Sequence, residues 1–220
     1  MKTRLFALLA FISLMFSACA APRFYIDQEW MGGPKPATAK VVFSMPTIAN
    51  PDDLKDDLPE YENNFVKWFG PQMKEYFNTE SRNKVKYSMK QVKPADITYT
   101  KQKLGDEDFD APAFDGIEDN AAVYVVVSDI WIGRDMEDRF VDGRQKSFGM
   151  GSQVGGFEAR NVFATKCKYA FYDAKTKKLL GFGHAEGTSA YTYVVTRGDW
   201  ERSLWAMVTK ILWNTPLVAW

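Results

Sequence analysis

Uninterrupted or alternating runs of apolar residues predict the strands of this protein. The segment KVVFSMP is typical of a short buried strand that ends at Pro46, and KVKYSMKQV alternates as a half-exposed strand does. The segment AAVYVVVSDIWI is apolar on both faces, which predicts a central strand. A further stretch, VFATKCKYAFYDAKTKKLLGFGHAEGTSAYTYV, predicts a long hairpin that turns at Asp173 to Lys178.

Two stretches with apolar residues at helical spacing predict the main helices. The first is NPDDLKDDLPEYENNFVKWFGPQMKEYF, within which Gly70-Pro71 is expected to kink or split the helix. The second is RGDWERSLWAMVTKIL, which closes the domain. Two segments are predicted to be irregular: residues 94–120 form a long polar connection, and FGMGSQVGGFEARN forms a glycine-rich turn region.

One face of the second hairpin strand carries only small side chains. They are Gly181, Gly183, Ala185, Gly187 and Ser189. Such a face needs bulky partners, and the closing helix offers Trp200, Leu204 and Met207 on one side. Together the elements predict an α/β (α+β) fold: a two-layer sandwich in which two main helices pack on one face of a single mixed sheet of about five strands.

Three of these segments resemble one family of bacterial envelope proteins. YAFYDAKTKKLLGFGHAEG is similar to the strand–(Asp-x-x-Thr)–strand hairpin of outer-membrane accessory lipoproteins of the curli-secretion type, of penicillin-binding-protein activators and of the Tol N-terminal domain. AAVYVVVSDI and RGDWERSLWAMVTKIL resemble their central strand and closing helix, so the resemblance covers roughly residues 39–214. Ser128-Asp129 departs from the pattern, where a glycine is usual. The resemblance implies an accessory lipoprotein that binds other proteins and is not an enzyme.

The beginning of the chain is typical of a secretory leader. Lys2 and Arg4 precede an apolar run of 12 residues, Leu5 to Phe16, which is too short to cross a bilayer because a spanning helix needs about 20. We therefore predict a lipoprotein signal peptide over residues 1–18. A flexible tether, residues 19–38, would follow, because Gly32-Gly33-Pro34 resists regular structure, and the single domain would occupy residues 39–220.

Cys19 has three interpretations. Phe16-Ser17-Ala18-Cys19 resembles a lipobox, although Phe16 departs from the usual leucine. Ala18-Cys19-Ala20 also fits ordinary signal peptidase, which would release a secreted or cell-surface protein, and a chance cysteine is the third reading. We favour acylation of Cys19, and Ala20 after it indicates sorting to the outer membrane, with the domain facing the periplasm.

Composition and charge exclude some partners and leave one cysteine to explain. Basic and acidic residues number 28 each, and loss of Lys2 and Arg4 with the leader would leave 26 basic residues against 28 acidic ones. So balanced a chain has no global field to attract nucleic acid. Without the leader and Cys19, Cys167 has no disulfide partner, and its place in an alternating strand favours a buried thiol over a reactive one.

Two groups of polar residues were considered as chemical sites. His184, the only histidine, shares a strand face with Glu186; the pair could act in acid–base chemistry or as half of a metal site, but two ligands do not complete a zinc set. Asp106, Asp108 and Asp110 alternate as calcium ligands do, yet Ala111 and Ile117 stand where an EF-hand needs glycine and glutamate. We expect a solvated acidic loop near the lysines of residues 84–103.

A third group lies in GRDMEDRFVDGR, after the central strand. Its acidic residues could supply the two carboxylates of a glycosidase. Basic residues are interleaved with them, which favours a solvated loop whose charges pair with each other. These basic residues are Arg134, Arg139 and Arg144.

Together these observations predict a lipid-anchored accessory protein for envelope assembly or secretion. We assign it no catalytic residue, metal or cofactor. Its partners would be the outer membrane, through the acyl chains on Cys19, and other envelope proteins; oligomerisation is possible, and nucleic acid is not expected. The partner surface would be the open sheet face or the 134–156 loops; the candidate residues are Lys166, Lys168, His184, Glu186, Arg134, Arg139 and Arg144. The alternative is a secreted hydrolase or carbohydrate-binding protein that uses aromatic residues such as Trp30 and Trp131.

Overall fold

The computed structural model describes residues 24–141 and 156–218. Its strands are β1 (Phe24–Ile26), β2 (Thr38–Ser44), β3 (Thr47–Ile48), β4 (Lys86–Val92), β5 (Ile97–Leu104), β6 (Glu107–Phe114), β7 (Val123–Val141), β8 (Gly156–Asp173) and β9 (Leu179–Ala190). Its α-helices are α1 (Gln28–Met31), α2 (Pro51–Asp57), α3 (Val66–Glu80) and α4 (Arg197–Leu212). The predicted signal peptide, Cys19, Arg144 and most of the glycine-rich segment lie outside the described residues.

A mixed sheet of seven strands forms the centre of the fold, with the order β1-β9-β8-β7-β2-β4 and with β3 paired to β7. β2 is parallel to β4 and β7, while β7, β8, β9 and β1 follow one another antiparallel. The predicted mixed α/β class is confirmed, but the estimate of about five strands is too low. β1 and β3 contain only three and two residues, which is too short for an alternating pattern to show in the sequence.

The two long helices lie on one face of this sheet, over an apolar core. α4 packs on the small face of β9, as predicted, and the approach is closest at Gly187, where an added Cβ would collide with the Ser203 carbonyl and the Met207 nitrogen. Trp200 of α4 contacts Phe163 of β8, with ring centroids 4.6 Å apart. Besides these two helices, the described residues include the short helices α1 and α2.

The first predicted helix breaks at a different proline from the one expected. Pro71 lies inside α3 without ending it, whereas the chain leaves α2 at Leu58, immediately before Pro59. The residue before a proline is disfavoured in helical conformation, and Leu58 accordingly has φ −136° and ψ 58°. The helix is therefore not split at Gly70-Pro71.

The opposite face of the sheet is partly covered by a hairpin that sequence analysis missed. Residues 97–114, predicted as an irregular connection, form β5 and β6, and Phe109 packs in parallel on Phe182 of β9 with centroids 5.2 Å apart. A second core of buried residues lies beneath this hairpin. The fold thus has three layers where two were predicted. The acidic segment belongs to this hairpin, and Asp108 pairs with Lys103 at 2.7 Å.

The described part of the predicted tether belongs to the fold. Residues 24–26 pair with Gly181–Gly183 of β9, and the Asp27 carboxylate accepts hydrogen bonds from the Glu29 and Trp30 amides at the start of α1. The Trp30 ring lies 5.1 Å from Phe171 in the helix-side core. An irregular tether therefore does not extend past Phe24, and irregular chain returns only between α1 and β2.

β7 and β8 form a long antiparallel ribbon that includes the segment predicted as a charged loop. The pairing continues from Val123↔Asp173 to Val141↔Gly156 and is interrupted by a bulge between Ser128 and Trp131. Residues 134–141 are therefore strand and not loop. Cys167 is buried on the helix side of β8, as predicted, and burial raises the pKa of its thiol.

Candidate functional site

The bulge in β7 sets the geometry of the site. Asp129 adopts a left-handed backbone conformation there, with φ 49°, which aspartate and asparagine tolerate better than most residues. Its carboxylate accepts hydrogen bonds from the Tyr99 hydroxyl of β5 at 2.6 Å and from the Lys168 ammonium of β8 at 3.0 Å. A bulge residue thus joins the ribbon to the covering hairpin.

A row of ion pairs continues along the half of the sheet face that the hairpin leaves uncovered. We call it the charged ladder; its members are Asp129, Asp135, Lys166, Lys168 and Glu186. The Lys166 Nζ atom lies 2.5 Å from Asp135 and 3.3 Å from Glu186, so it bridges β7 to β9. Further out along the ribbon, Arg160 pairs with Glu137 at 2.8 Å.

The pKa values of three ladder members, Asp129, Asp135 and Lys166, favour the charged forms. Partial burial alone would raise the pKa of Asp129, but the hydrogen bonds from Tyr99 and Lys168 lower it below its usual value. The hydrogen bond from Lys166 lowers the pKa of Asp135, and the same bond raises the pKa of Lys166. A general acid needs a raised carboxyl pKa, which is the opposite of what Asp129 and Asp135 have.

Aromatic rings support the lysines of the ladder. The Lys166 ammonium lies 5.4 Å from the centroid of Trp131, and the Lys168 ammonium lies 5.4 Å from that of Tyr99. His184 is exposed beside them, with its ring edge-on to Phe109 at 4.8 Å. The uncovered face therefore combines charged groups with Trp and Tyr, residue types that often dominate protein interfaces.

The structure brings together the four candidates predicted on the open face. Lys166 pairs directly across the sheet with Glu186, and Lys168 pairs with His184. Arg134 does not join them, because it points to the helix side of β7 and forms ion pairs with Asp53 and Asp57 of α2. The side chain of Arg139 lies outside the described atoms, as does the whole of Arg144. Grouping the arginines with each other and with their neighbouring acids was therefore wrong for Arg134.

The Arg134 cluster fastens α2 to the sheet. Asp53 accepts a hydrogen bond from the Asn50 amide at 2.9 Å, and Asp57 accepts one from the Trp200 indole at 3.0 Å. Burial raises the pKa of Asp57, and the Arg134 charge opposes this only in part. The cluster ties β7, α2 and α4 together beneath the ribbon.

Tyr99 and Asp129 are the site residues that sequence analysis missed. The contact between them spans 30 positions and depends on a hairpin that the sequence did not reveal. The departure at Ser128-Asp129 was the available signal, because an aspartate where the lipoproteins that the sequence resembles usually have glycine indicates a special backbone conformation, and Asp129 has a φ of 49°.

A second concave surface lies at the other end of the hairpin, between β5, β6, β1 and β9. It is lined by Tyr25, Asp27, Lys101, Asp108, Lys178 and Phe182, among others. Tyr25 is 48% exposed, and its ring lies 5.4 Å from Phe182. Asp27 pairs with Lys178 at 2.7 Å, and that hydrogen bond lowers the pKa of Asp27. Trp30 and Trp131, the aromatics predicted for a carbohydrate site, lie elsewhere, against Phe171 and Lys166.

Two kinds of feature are absent from the described ranges, a metal-binding cluster and a membrane-spanning helix. No group of three or more His, Cys, Asp or Glu side chains there is arranged to hold a metal ion. None of the helices described has the length and apolar character that crossing a bilayer requires.

Comparison with known proteins gives structural similarity only. No model of a protein family matches the sequence, and no curated protein matches it. The chain aligns with a protein provisionally named a neuraminyllactose-binding hemagglutinin homologue from Helicobacter pylori, at 15% identity and TM-score 0.34, over 82% of this chain and 85% of that one. It also aligns with the PelC dodecamer from Paraburkholderia phytofirmans, at 9% identity and TM-score 0.36, over 85% and 92%. Similarity at this level assigns neither a family nor a function to the chain.

Proposed function

We propose that this protein is a lipid-anchored, periplasm-facing accessory of the bacterial outer membrane that binds another envelope protein and catalyses no reaction. The observation that carries the proposal is the uncovered half of the sheet face, where the charged ladder and its two aromatic rings lie side by side. The resemblance of the hairpin and closing helix to accessory lipoproteins points the same way.

The composition of this face suits protein binding. Trp131 and Tyr99 provide rigid apolar area, and the lysines above them provide charge that a partner carboxylate can meet. Pairing within the ladder holds both lysines in place before binding, which reduces the entropy that binding must offset. A partner of complementary charge could replace these intramolecular ion pairs with intermolecular ones. Breaking the intramolecular pairs costs little, because an exposed ion pair contributes only about 0–1 kcal/mol to stability.

The ionisation of the ladder supports binding in preference to catalysis. Asp129 and Asp135 each accept a hydrogen bond from a lysine, and both have lowered pKa values. Proton transfer near neutral pH needs groups that titrate there. Two of the carboxylates that sequence analysis considered for a glycosidase have cationic partners in the structure, since Asp135 pairs with Lys166 and Glu137 with Arg160.

The anchor rests on the leader. Lys2 and Arg4, the 12-residue apolar run and Cys19 occur in the order that lipoprotein processing requires. Metabolic labelling with a palmitate analogue tests this part of the proposal by comparing the wild type with Cys19→Ala. We expect label in the wild type only, and a wild type without label would overturn the anchor.

Site-specific photo-crosslinking tests the binding face. A photoreactive residue is placed at Lys168 in the ladder and, as a matched control, at Lys74, an exposed lysine on α3. We expect a discrete adduct with one envelope protein from position 168 that is absent from position 74, and its loss when Lys166→Glu is added. Equal adducts at both positions, or none at position 168, would contradict the proposed face.

Carbohydrate binding is the second candidate, and the groove beside Tyr25 favours it. An aromatic ring that is 48% exposed, next to paired charges, is a surface on which a sugar ring can stack. Titration with envelope polysaccharides, monitored by calorimetry, would detect binding that Tyr25→Ala abolishes and that Tyr193→Ala, at another exposed tyrosine, leaves intact. Absence of heat with every polysaccharide would remove this candidate.

A further inference from the structure

One corner of the domain exposes apolar side chains next to the point where the described chain begins. Phe24, Gln28, Met31 and Asn214 line a shallow depression there. Phe24 and Met31 are 38% and 37% exposed, and Trp213, which precedes Asn214 after α4, is 56% exposed. We call this surface the β1 corner.

The distance from Cys19 to this corner is limited by the length of the chain. β1 is fixed to the sheet by the pairing Phe24↔Gly183, and four residues separate Phe24 from Cys19. Five Cα-to-Cα steps extend no further than about 18 Å, even when fully stretched. An acyl chain on Cys19 enters the bilayer beside its own residue, so the β1 corner is held within that distance of the membrane surface.

We propose that the β1 corner docks directly on the lipid bilayer, with Phe24, Met31 and Trp213 in the interfacial layer. The inference rests on the proposed acylation of Cys19 and adds an orientation to it. Amphipathic aromatic side chains are favoured at the membrane–water interface, where an apolar ring meets lipid and its edge meets water. The tether expected from the sequence would have let the domain rotate freely relative to the membrane. Because β1 is paired with β9, the domain begins at Phe24 and its orientation is restricted.

The orientation has a consequence for the rest of the sheet. β1 and β4 are the first and last strands of the order β1-β9-β8-β7-β2-β4, five strand spacings apart. At about 4.8 Å per spacing, the β4 edge lies roughly 24 Å from β1. The β1 side of the sheet therefore faces the lipid, and the β4 edge points into the periplasm.

Site-directed spin labelling tests the orientation in the full-length acylated chain reconstituted into phosphatidylcholine vesicles. One variant carries Met31→Cys and the matched control carries Ser88→Cys, at an exposed position of β4. Only the new cysteine reacts, because Cys19 is acylated and Cys167 is buried. We expect the label at position 31 to collide severalfold more with oxygen, which concentrates in lipid, than with a water-soluble nickel chelate, relative to the label at position 88.

A second change identifies the contacts responsible. Adding Phe24→Ser and Trp213→Ser to the Met31→Cys chain is expected to remove most of the oxygen preference while the palmitate label on Cys19 persists. Equal accessibility at positions 31 and 88 in an acylated chain would overturn the docking face and leave the anchor standing. A chain that acquires no label and does not float with vesicles would overturn both proposals.

Discussion

The two faces of the central sheet are built in different ways. On the helix side, α3 and α4 cover the strands with one continuous apolar core, in which rings such as Phe65, Trp68 and Trp200 contact one another. On the other side a two-stranded hairpin covers only part of the sheet, and the remainder carries the charged ladder. The first face is closed to solvent, and the second is open beside its smaller core.

The difference indicates which face maintains the fold and which is available to partners. Burial of apolar area contributes about 25 cal/mol per Å², so the helix side supplies most of the stability. The ladder consists of exposed pairs that contribute little to folding. Substitutions on the two faces should therefore affect stability very unequally, and this inequality can be measured.

The largest effect is expected for Gly187→Ala, on the helix side of β9. The new Cβ would meet the backbone of α4 at Ser203 and Met207, which cannot move without shifting the helix. We expect the free energy of unfolding in urea to fall by about 3 kcal/mol or more. Thr188→Ala, the adjacent residue on the open face, is the control and should change it by less than about 1 kcal/mol. Similar losses at both positions would show that α4 does not pack closely on this strand.

A smaller loss is expected for Phe109→Ala, beneath the hairpin. Its ring packs on Phe182 and His184, with centroids 5.2 and 4.8 Å away, in a core formed on one side by only two strands. We expect a loss of about 2–3 kcal/mol, below the roughly 3–5 kcal/mol usual for a buried phenylalanine, because the hairpin can move into the space that the ring leaves.

Hydrogen exchange would show how this loss is distributed. Amides of β5 and β6 should exchange faster in Phe109→Ala while those of α4 keep their protection, because local unfolding follows contiguous units. Equal acceleration in α4 would mean that the two faces unfold as one unit and would contradict the comparison.

The sequence predicts the helix side better than the open side, and the reason lies in the patterns. The continuous run around Val125 and the small face of β9 both require burial, so their positions follow directly. β5 and β6 place lysines and aspartates on their outer surface, with Lys101 opposite Asp110. Because of these charges the sequence of the two strands has the polar composition of a loop. The segment's buried residues alternate only in part, which gives too weak a signal to assign a strand.

The site could be predicted where alternation along a strand assigns the face, and not where the pairing register shifts. Alternation places Lys166 and Lys168 of β8, and His184 and Glu186 of β9, on the open face, whereas the pairing of Lys166 with Glu186 also depends on a register shift between Phe171 and Tyr172.

Arg134 was misplaced because its segment was interpreted as a charged loop and is strand. Within that strand the bulge after Ser128 directs Arg134 to the helix side, whereas unbroken alternation would place it on the open face. The signal at Ser128-Asp129 does not show that an extra residue is inserted there, so the Arg134 contacts with α2 could be found only in the structure.

An intermediate, pH-dependent effect is expected at Asp199, which joins α4 to β9. Burial alone would raise its pKa, but hydrogen bonds from Thr196, Ser189 and Arg202 hold the pKa below its usual value. A carboxyl with a lowered folded pKa adds stability above its unfolded pKa of about 4, and this stability is lost as the pH falls through the folded value. Asp199→Asn should cost about 1–2 kcal/mol at neutral pH and less in acid.

Urea unfolding at pH 7 and in steps below pH 4 measures this dependence. The stability of the wild type should converge on that of Asp199→Asn as the pH falls, because a protonated aspartate and an asparagine are both uncharged. Asp135→Asn, in the ladder, is the control and should change the neutral-pH value by less than about 1 kcal/mol, since its ion pair is exposed. A constant difference between wild type and Asp199→Asn at all pH values would exclude Asp199 as the titrating group.

The smallest effect on stability is expected in the ladder itself, at the pair Lys168–Asp129. Asparagine tolerates the left-handed conformation of residue 129, so Asp129→Asn removes the charge without forcing the bulge to change. A double-mutant cycle with Lys168→Ala should give a coupling energy below about 1 kcal/mol, and this energy should shrink further in 1 M salt. Lys166→Glu, which reverses the neighbouring ladder charge, should nevertheless abolish the photo-crosslink at position 168, because binding needs that lysine where folding does not. A coupling energy of about 2 kcal/mol or more that is insensitive to salt would mean that the ladder stabilises the fold. The distinction between a stabilising face and a binding face would then fail.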